Sequence, residues 1–199
     1  MRVYHRPKAG RPLRIMWMLE EVDESYELKV LDREECKSEQ HLARHPLGRV
    51  PVLEDDDGLM LFESAAMCMQ IGDRHPESGM MPPLGSHERG LVYQWATFAP
   101  AEIEPPLFEA WTQADKDPDR AASARRRFDL AADAVVEALD GKDHLVGETF
   151  TVADIMVGTA LIFTTRAGFA DELPQALKDY TGRLAKRAAF QRALQRAFG

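Results

Sequence analysis

A segment rich in proline and glycine divides the sequence into two parts with different hydrophobic patterns. Residues 75–86, His-Pro-Glu-Ser-Gly-Met-Met-Pro-Pro-Leu-Gly-Ser, contain three prolines and two glycines, and these residue types interrupt helices and strands. Short runs of β type alternate with helical runs before this segment, whereas only helical patterns follow it. We therefore predict an α/β domain at 1–76, a linker at 77–86 and an all-α domain at 87–199.

The first part of the chain predicts the element order β-α-β-α-β-β-α. Residues 1–5 and 26–31 have the residue types of strands, and the helix between them begins where Pro12 fits a first helical turn. A strand, a helix and a strand in succession form a βαβ unit, so these two strands should be parallel. Asp55-Asp56-Asp57-Gly58 separates two further apolar runs and predicts a hairpin, because Asp and Gly tolerate positive φ.

Charge and composition exclude several classes of protein. The formal net charge is −8, which disfavours a nucleic-acid partner because phosphate contacts need a basic surface. No apolar run has the length of a membrane span, and neither the two cysteines nor the six histidines have metal-ligand spacing. We therefore expect a cytoplasmic protein without nucleic-acid, membrane or metal partners.

Two motifs at a fixed separation carry a family resemblance. His45-Pro46-Leu47-Gly48-Arg49-Val50-Pro51 resembles the Asn-Pro-x-Gly-Lys-Val-Pro segment of glutathione transferases, and Phe62-Glu63-Ser64 follows at the distance usual in that family. Phe150-Thr151-Val152-Ala153-Asp154-Ile155 is similar to the family's capping box, in which Asp154 would accept the Thr151 N–H. The chain is thus identified as resembling the bacterial-type, theta/beta-like glutathione transferases. The resemblance implies a thioredoxin-like N-terminal domain followed by a helical C-terminal domain.

The resemblance implies a strand-like contact between Val50 and glutathione. In thioredoxin-like folds the proline at this position follows a cis peptide bond, which would leave the N–H and C=O of Val50 free to pair with the cysteinyl group of the tripeptide. The alternative for Val50-Pro51, taken alone, is a trans-proline loop before an edge strand. The Glu63-Ser64 motif behind it favours the glutathione site.

The remaining glutathione contacts would come from charged and hydroxyl groups. Ser64 and the helix start that it occupies suit the γ-glutamyl carboxylate, and Glu63 suits the α-ammonium group. Capping of the helix by Glu63 or Ser64 is the structural alternative, and both roles can hold together. Arg49 aligns with a lysine that approaches the glycyl carboxylate in related families, and Lys37 and His41 are weaker candidates for that contact.

The group that activates the thiol is missing from its expected place. Family members use Tyr, Ser or Cys near the end of the first strand, but residues 1–24 contain no Ser, Thr or Cys. The donor position aligns with Ala9 or Gly10, and Tyr4 lies too early in the strand. We therefore predict that the backbone amides around Gly10 and Arg11, with the Arg11 guanidinium, are the catalytic groups. A solvent-facing role at the helix start is the alternative for Arg11.

Two functions remain open for a chain of this kind. The first is an enzyme that adds the thiolate of glutathione, its substrate, to a small apolar electrophile in detoxification. The second is a non-catalytic interaction or regulatory protein of the same fold. For the enzyme we expect Phe98, Glu102 and Trp111 at the second-substrate pocket. In either case the resemblance implies a homodimer.

Overall fold

The chain forms two structural units. The computed structural model describes residues 1–7 and 10–198. The first unit contains Met1–Met81 together with the residues from Lys186 onward, and the second contains Pro82–Ala185.

The division between the units falls inside the predicted linker, but the last helix belongs to the first unit. The predicted second domain, 87–199, therefore extends too far at its C-terminal end. The amphipathic pattern of a helix reports that one face is buried and does not report which partner covers it.

The first unit has the thioredoxin-like arrangement that the resemblance implies. Its elements are β1 (Arg2–His5), α1 (Pro12–Glu21), β2 (Glu27–Val30), a 3₁₀ turn (Glu35–Lys37), α2 (Glu39–Arg44), β3 (Val52–Glu54), β4 (Met60–Leu61), α3 (Ser64–Arg74), a second 3₁₀ turn (Pro76–Ser78) and α9 (Ala188–Phe198). Among the described residues the strands form one sheet in the order β2-β1-β3-β4. Strand β1 pairs parallel with β2 and antiparallel with β3, and β3 pairs antiparallel with β4. The predicted βαβ unit and hairpin are both confirmed.

Helix α1 is the centre of the first unit's core. Every residue from Pro12 to Leu19 is buried, with α9 packed along the helix on one side and α3 on another. The Phe190 ring of α9 meets the indole of Trp17 edge-on at 4.7 Å. The Arg187 guanidinium adds a two-pronged ion pair with the Glu21 carboxylate, at 2.6 and 2.7 Å.

The second unit is helical. It contains α4 (His87–Phe98), a π-helical segment (Ala99–Ile103), α5 (Glu104–Gln113), α6 (Pro118–Ala138), α7 (Val152–Ala167), a 3₁₀ turn (Ala170–Glu172) and α8 (Gln175–Ala185). The pattern at 91–104 predicts one continuous helix, and here the structure differs. The π-helical segment interrupts it, with Pro100 inside the segment and Pro105 directly after it, because proline lacks the N–H of a regular helix.

Helix α7 is the buried core of the second unit, and Asp154 fixes its start. The Asp154 carboxylate, fully buried, accepts the backbone N–H of Thr151 at 2.9 Å and that of Leu145 at 3.0 Å. It also accepts the Tyr180 hydroxyl at 2.8 Å. The predicted bond from Thr151 to Asp154 is therefore confirmed, and the same carboxylate joins α7 to α8.

Candidate functional site

The start of α3 combines a strained backbone with a buried hydroxyl. Glu63 precedes the helix with φ 71° and ψ 111°, a conformation that costs a non-glycine residue about 1–3 kcal/mol and is concentrated at functional sites. Ser64 is the first residue of the helix and is buried. The helix leaves the N–H groups of its first turn without intrahelical partners. This position can therefore hold an anion through backbone amides and a hydroxyl.

A buried arginine lies against that hydroxyl. Arg14 is fully buried in α1 and donates a hydrogen bond from Nη1 to the Ser64 Oγ at 3.2 Å. Its guanidinium adds positive charge beside the helix start, which already has the positive end of the helix dipole. The sequence motifs do not predict a role for Arg14 in the site. The available signal was a charged residue inside the apolar run from Leu13 to Leu19.

The backbone of Val50 is open to an extended ligand. The Val50–Pro51 peptide bond is cis, as predicted. Within the described residues, neither the N–H nor the C=O of Val50 has a hydrogen-bond partner. The pairing of β3 with β4 begins only at Leu53. The chain ahead of β3 is therefore open on that side.

The loop before Val50 is held by a buried histidine and a glycine. The Arg49 C=O accepts a hydrogen bond from Nε2 of the fully buried His41 at 2.9 Å. Gly48 has φ +59°, and a Cβ at that position would lie 2.5 Å from the Cys36 carbonyl oxygen. Both a left-handed backbone and a close approach therefore require glycine here. The sequence predicts His41 as a candidate for the glycyl carboxylate, but the residue is fully buried and its Nε2 bonds the Arg49 C=O, so it supports the loop instead.

The two remaining candidates for the glycyl carboxylate have different surroundings. The Arg49 side chain is exposed in the loop before Val50. Lys37 is exposed on the 3₁₀ turn, where its ammonium group pairs with Glu34 at 3.1 Å. In the part of the chain that the structure describes, no hydrogen bond or ion pair joins Lys37 to Arg49 or Val50.

The start of α1 offers backbone groups close to the end of β1. The Gly10 C=O accepts the Leu13 N–H at 3.1 Å, and the Arg11 C=O accepts the Arg14 N–H at 3.1 Å. Arg11 is partly buried and directly precedes α1. Ala9, one of the two positions that align with the missing donor, lies outside the described residues.

The one phenol of the first strand has another partner. The Tyr4 hydroxyl donates to Oε2 of Glu54 at 2.6 Å, and Arg2 donates to the same oxygen at 2.9 Å. These donors lower the pKa of Glu54, chiefly through the Tyr4 bond and despite desolvation. The Arg44 guanidinium lies 4.4 Å above the Tyr4 ring. The Tyr4 hydroxyl and ring thus both have partners within the first unit.

The predicted pocket residues of the second unit lie on three successive segments. Phe98 ends α4 and packs edge-on against Trp95 at 5.2 Å. Glu102 is exposed on the π-helical segment, a type of distortion that is frequent at functional sites. Trp111 is exposed on α5, and its ring lies 6.0 Å from that of the exposed Phe108.

Comparison with known proteins agrees with the fold. Residues 1–71 match the family model for the N-terminal domain of glutathione S-transferase. Glutathione S-transferase GST-4.5 of Xanthomonas campestris is 31% identical over 85% of this chain and 86% of its own length. The glutathione S-transferase-like protein LUC7 of a Fusarium species is 29% identical over 64% of this chain, and the match spans 60% of LUC7.

A solved structure extends the comparison over the whole chain. The sphingomonad glutathione S-transferase in complex with glutathione superimposes with a TM-score of 0.86 at 29% identity, covering 99% of this chain and 98% of that chain. The thioredoxin-like unit, the helical unit and these matches define the class. The chain belongs to the glutathione S-transferase family.

The described residues were also searched for a membrane-spanning helix and for a metal-binding cluster. None of the helices within 1–7 and 10–198 is both long enough and apolar enough to cross a membrane. The same residues contain no cluster of His, Cys, Asp and Glu side chains that could bind a metal ion.

Proposed function

We propose that this chain binds glutathione and adds its thiolate to a small apolar electrophile. The proposal rests on one observation in the first unit. This unit contains both the unpaired backbone of Val50 and a helix start, at α3, that is suited to an anion. The N–H and C=O of Val50 are unpaired among the described residues, and Ser64 has Arg14 behind it. An extended peptide with a carboxylate at one end fits both features.

Each part of the tripeptide has a candidate partner. The cysteinyl backbone pairs with Val50, beside Pro51, as an added antiparallel strand. The γ-glutamyl carboxylate accepts from the Ser64 hydroxyl and the first amides of α3, while the α-ammonium group faces the Glu63 carboxylate. The glycyl carboxylate is met by the side chain of Arg49 or Lys37. Arg49 is the stronger candidate because Lys37 pairs with Glu34.

Thiol activation uses the start of α1. The backbone amides around Gly10 and the positive charge of Arg11 stabilise the thiolate over the thiol, since a helix N-terminus beside a cation lowers a thiol's pKa. The thiol proton passes to solvent, and the sulfur lone pair forms a bond to the electrophilic carbon of an activated alkene. The displaced π electrons move to the electron-withdrawing group, and water then supplies a proton to the adduct.

The second substrate and the assembly are parts of the same proposal. Phe98, Glu102 and Trp111 contribute to the pocket for the apolar electrophile, with aromatic surface from the two rings. A homodimer is supported by exposed apolar side chains at the sheet edge, where Leu59 is 43%, Met60 37% and Phe62 41% exposed. Our proposal places this reaction in the cytoplasm, where the conjugation of reactive electrophiles would serve detoxification.

A non-catalytic interaction or regulatory protein of the same fold, one that still binds glutathione, is the second candidate. The observation that favours it is the absence of Ser, Thr and Cys from residues 1–24, together with the engagement of the Tyr4 hydroxyl by Glu54. Such a protein would use the same site on β3 and α3 without lowering the thiol's pKa.

Calorimetry followed by titration of the bound thiol separates these functions. Glutathione is titrated into the protein near neutral pH, and thiolate absorbance is then measured against pH in the complex. Binding with a lowered thiol pKa supports the transferase, whereas binding with the ordinary pKa supports the non-catalytic protein. Absence of binding contradicts both.

A further inference from the structure

The imidazole of His45 is built into the loop that leads to Val50. His45 directly follows α2 and is only 4% exposed, with its ring 4.9 Å from the ring of Phe62. Its Nδ1 accepts the backbone N–H of Leu47 at 3.1 Å. Its C=O accepts the N–H of Gly48 at 2.8 Å. His45 therefore accepts two hydrogen bonds from the turn that precedes Arg49 and Val50, one through its ring and one through its backbone.

Protonation acts differently on the two histidines that hold this loop. The bond from Leu47 needs a lone pair on Nδ1 of His45, and an imidazolium would present an N–H to the Leu47 N–H instead. The bond to the Arg49 C=O needs an N–H on Nε2 of His41, and an imidazolium keeps that N–H. Acid therefore breaks the His45 contact and leaves the His41 contact intact.

We propose that His45 is a positioning residue that makes glutathione binding depend on pH. Its neutral imidazole holds the turn at Leu47 so that Val50 is presented to the tripeptide, and its imidazolium loses that one contact and loosens the turn. The inference rests on the proposed function, because it concerns the same glutathione contact. The family motif that the segment resembles has asparagine at position 45, whose amide oxygen can accept the same N–H without titrating.

The surroundings of His45 set the direction of the effect. Burial lowers the pKa of His45 below its ordinary value. The charge of Glu63, beside α3, opposes this shift, whereas His41 on α2 and Arg49 in the loop add to it. The guanidinium of the adjacent Arg44 is directed to the Tyr4 ring. Since the pKa is lowered, the neutral form predominates at neutral pH, and the loop contact is lost as the pH falls through that lowered pKa.

The test is the affinity for S-methylglutathione, whose sulfur cannot ionise, measured by calorimetry between about pH 5 and pH 7, a range in which its amino and carboxyl groups do not titrate appreciably. We expect the wild-type affinity to fall about tenfold toward the acidic end, the loss that corresponds to one well-formed hydrogen bond. His45→Asn should bind as the wild type does at neutral pH and keep that affinity in acid. His41→Gln, which retains a donor for the Arg49 C=O, should keep the wild-type pH slope.

The results that would overturn the role of His45 differ from the result that would overturn the proposed function. A wild-type affinity that does not change with pH, or an unchanged slope in His45→Asn, overturns this inference alone. Absence of glutathione binding at every pH overturns it together with the proposed function. If His45→Asn does not fold, the amide resonance of Leu47 in the wild-type protein decides. It should titrate with the same midpoint as the His45 ring, and a different midpoint overturns the inference.

Discussion

At the scale of single residues, the site depends on side chains that support the backbone as much as on those that would meet the ligand. Arg14 lies behind Ser64, and His41 holds the carbonyl of Arg49. Val50 and Ser64 could be proposed from the sequence because they lie in two short motifs that resemble those of a family. The supporting roles of Arg14 and His41 could not be predicted, since they depend on contacts that only the folded chain creates.

Replacement of Gly48 by alanine should destabilise the protein by about 2 kcal/mol or more. The left-handed backbone alone costs alanine about 1 kcal/mol, and the Cβ would also lie 2.5 Å from the Cys36 carbonyl oxygen. Gly58→Ala is the matched control, because Gly58 has φ +81° and nothing within 4 Å of the added Cβ. Urea denaturation of both variants measures the difference. Equal losses of unfolding free energy would contradict the role of the close contact.

Arg11→Ala should raise the pKa of the bound glutathione thiol and slow turnover. Glutathione affinity should change little, because the proposed contacts of the tripeptide's ends lie at Glu63, Ser64 and Arg49. Tyr4→Phe is the comparison variant, since its hydroxyl already donates to Glu54. Thiolate absorbance and steady-state kinetics provide both measurements. If Tyr4→Phe abolishes activity while Arg11→Ala does not, the phenol is the donor and the start of α1 is not.

At the scale of elements, the strands and helices of the first unit could be read from the sequence because period-2 and period-3.6 patterns are local. Strand β1, helix α1 and the hairpin of β3 and β4 lie where those patterns predict them. The partner of the last helix could not be predicted, since α9 packs on α1 about 170 residues earlier in the chain. The π-helical interruption at Ala99–Ile103 was also missed, because helical periodicity continues through it.

Truncation of Phe190, the buried aromatic residue of α9, should destabilise the protein far more than loss of a neighbouring ion pair. Phe190 is 3% exposed and packs on Trp17, so Phe190→Ala should cost about 3–5 kcal/mol. Arg192→Ala removes a pair with Glu20 in which the arginine is half exposed, and should cost less than about 1 kcal/mol. Denaturant unfolding of the two variants gives the comparison. Similar losses would show that α9 is not held by its apolar face.

At the scale of the whole molecule, the chain is a member of the glutathione S-transferase family along nearly its full length. Motifs spread from Val50 to Asp154 allowed the family to be identified from sequence, and the matches to whole relatives agree. The thiol-activating group could not be predicted with the same support, because the residue that would reveal it is replaced. We propose that Val50, just before β3, and the start of α3 bind glutathione.

Calorimetric titration of glutathione into the wild-type protein and into Ser64→Ala tests that claim most directly. Ser25→Ala serves as the control, because Ser25 is an exposed serine of the same unit. The account predicts that the wild type and Ser25→Ala bind equally, and that Ser64→Ala binds about tenfold to a hundredfold more weakly through loss of a hydrogen bond to a carboxylate. No binding by the wild type, or equal binding by Ser64→Ala, would contradict it.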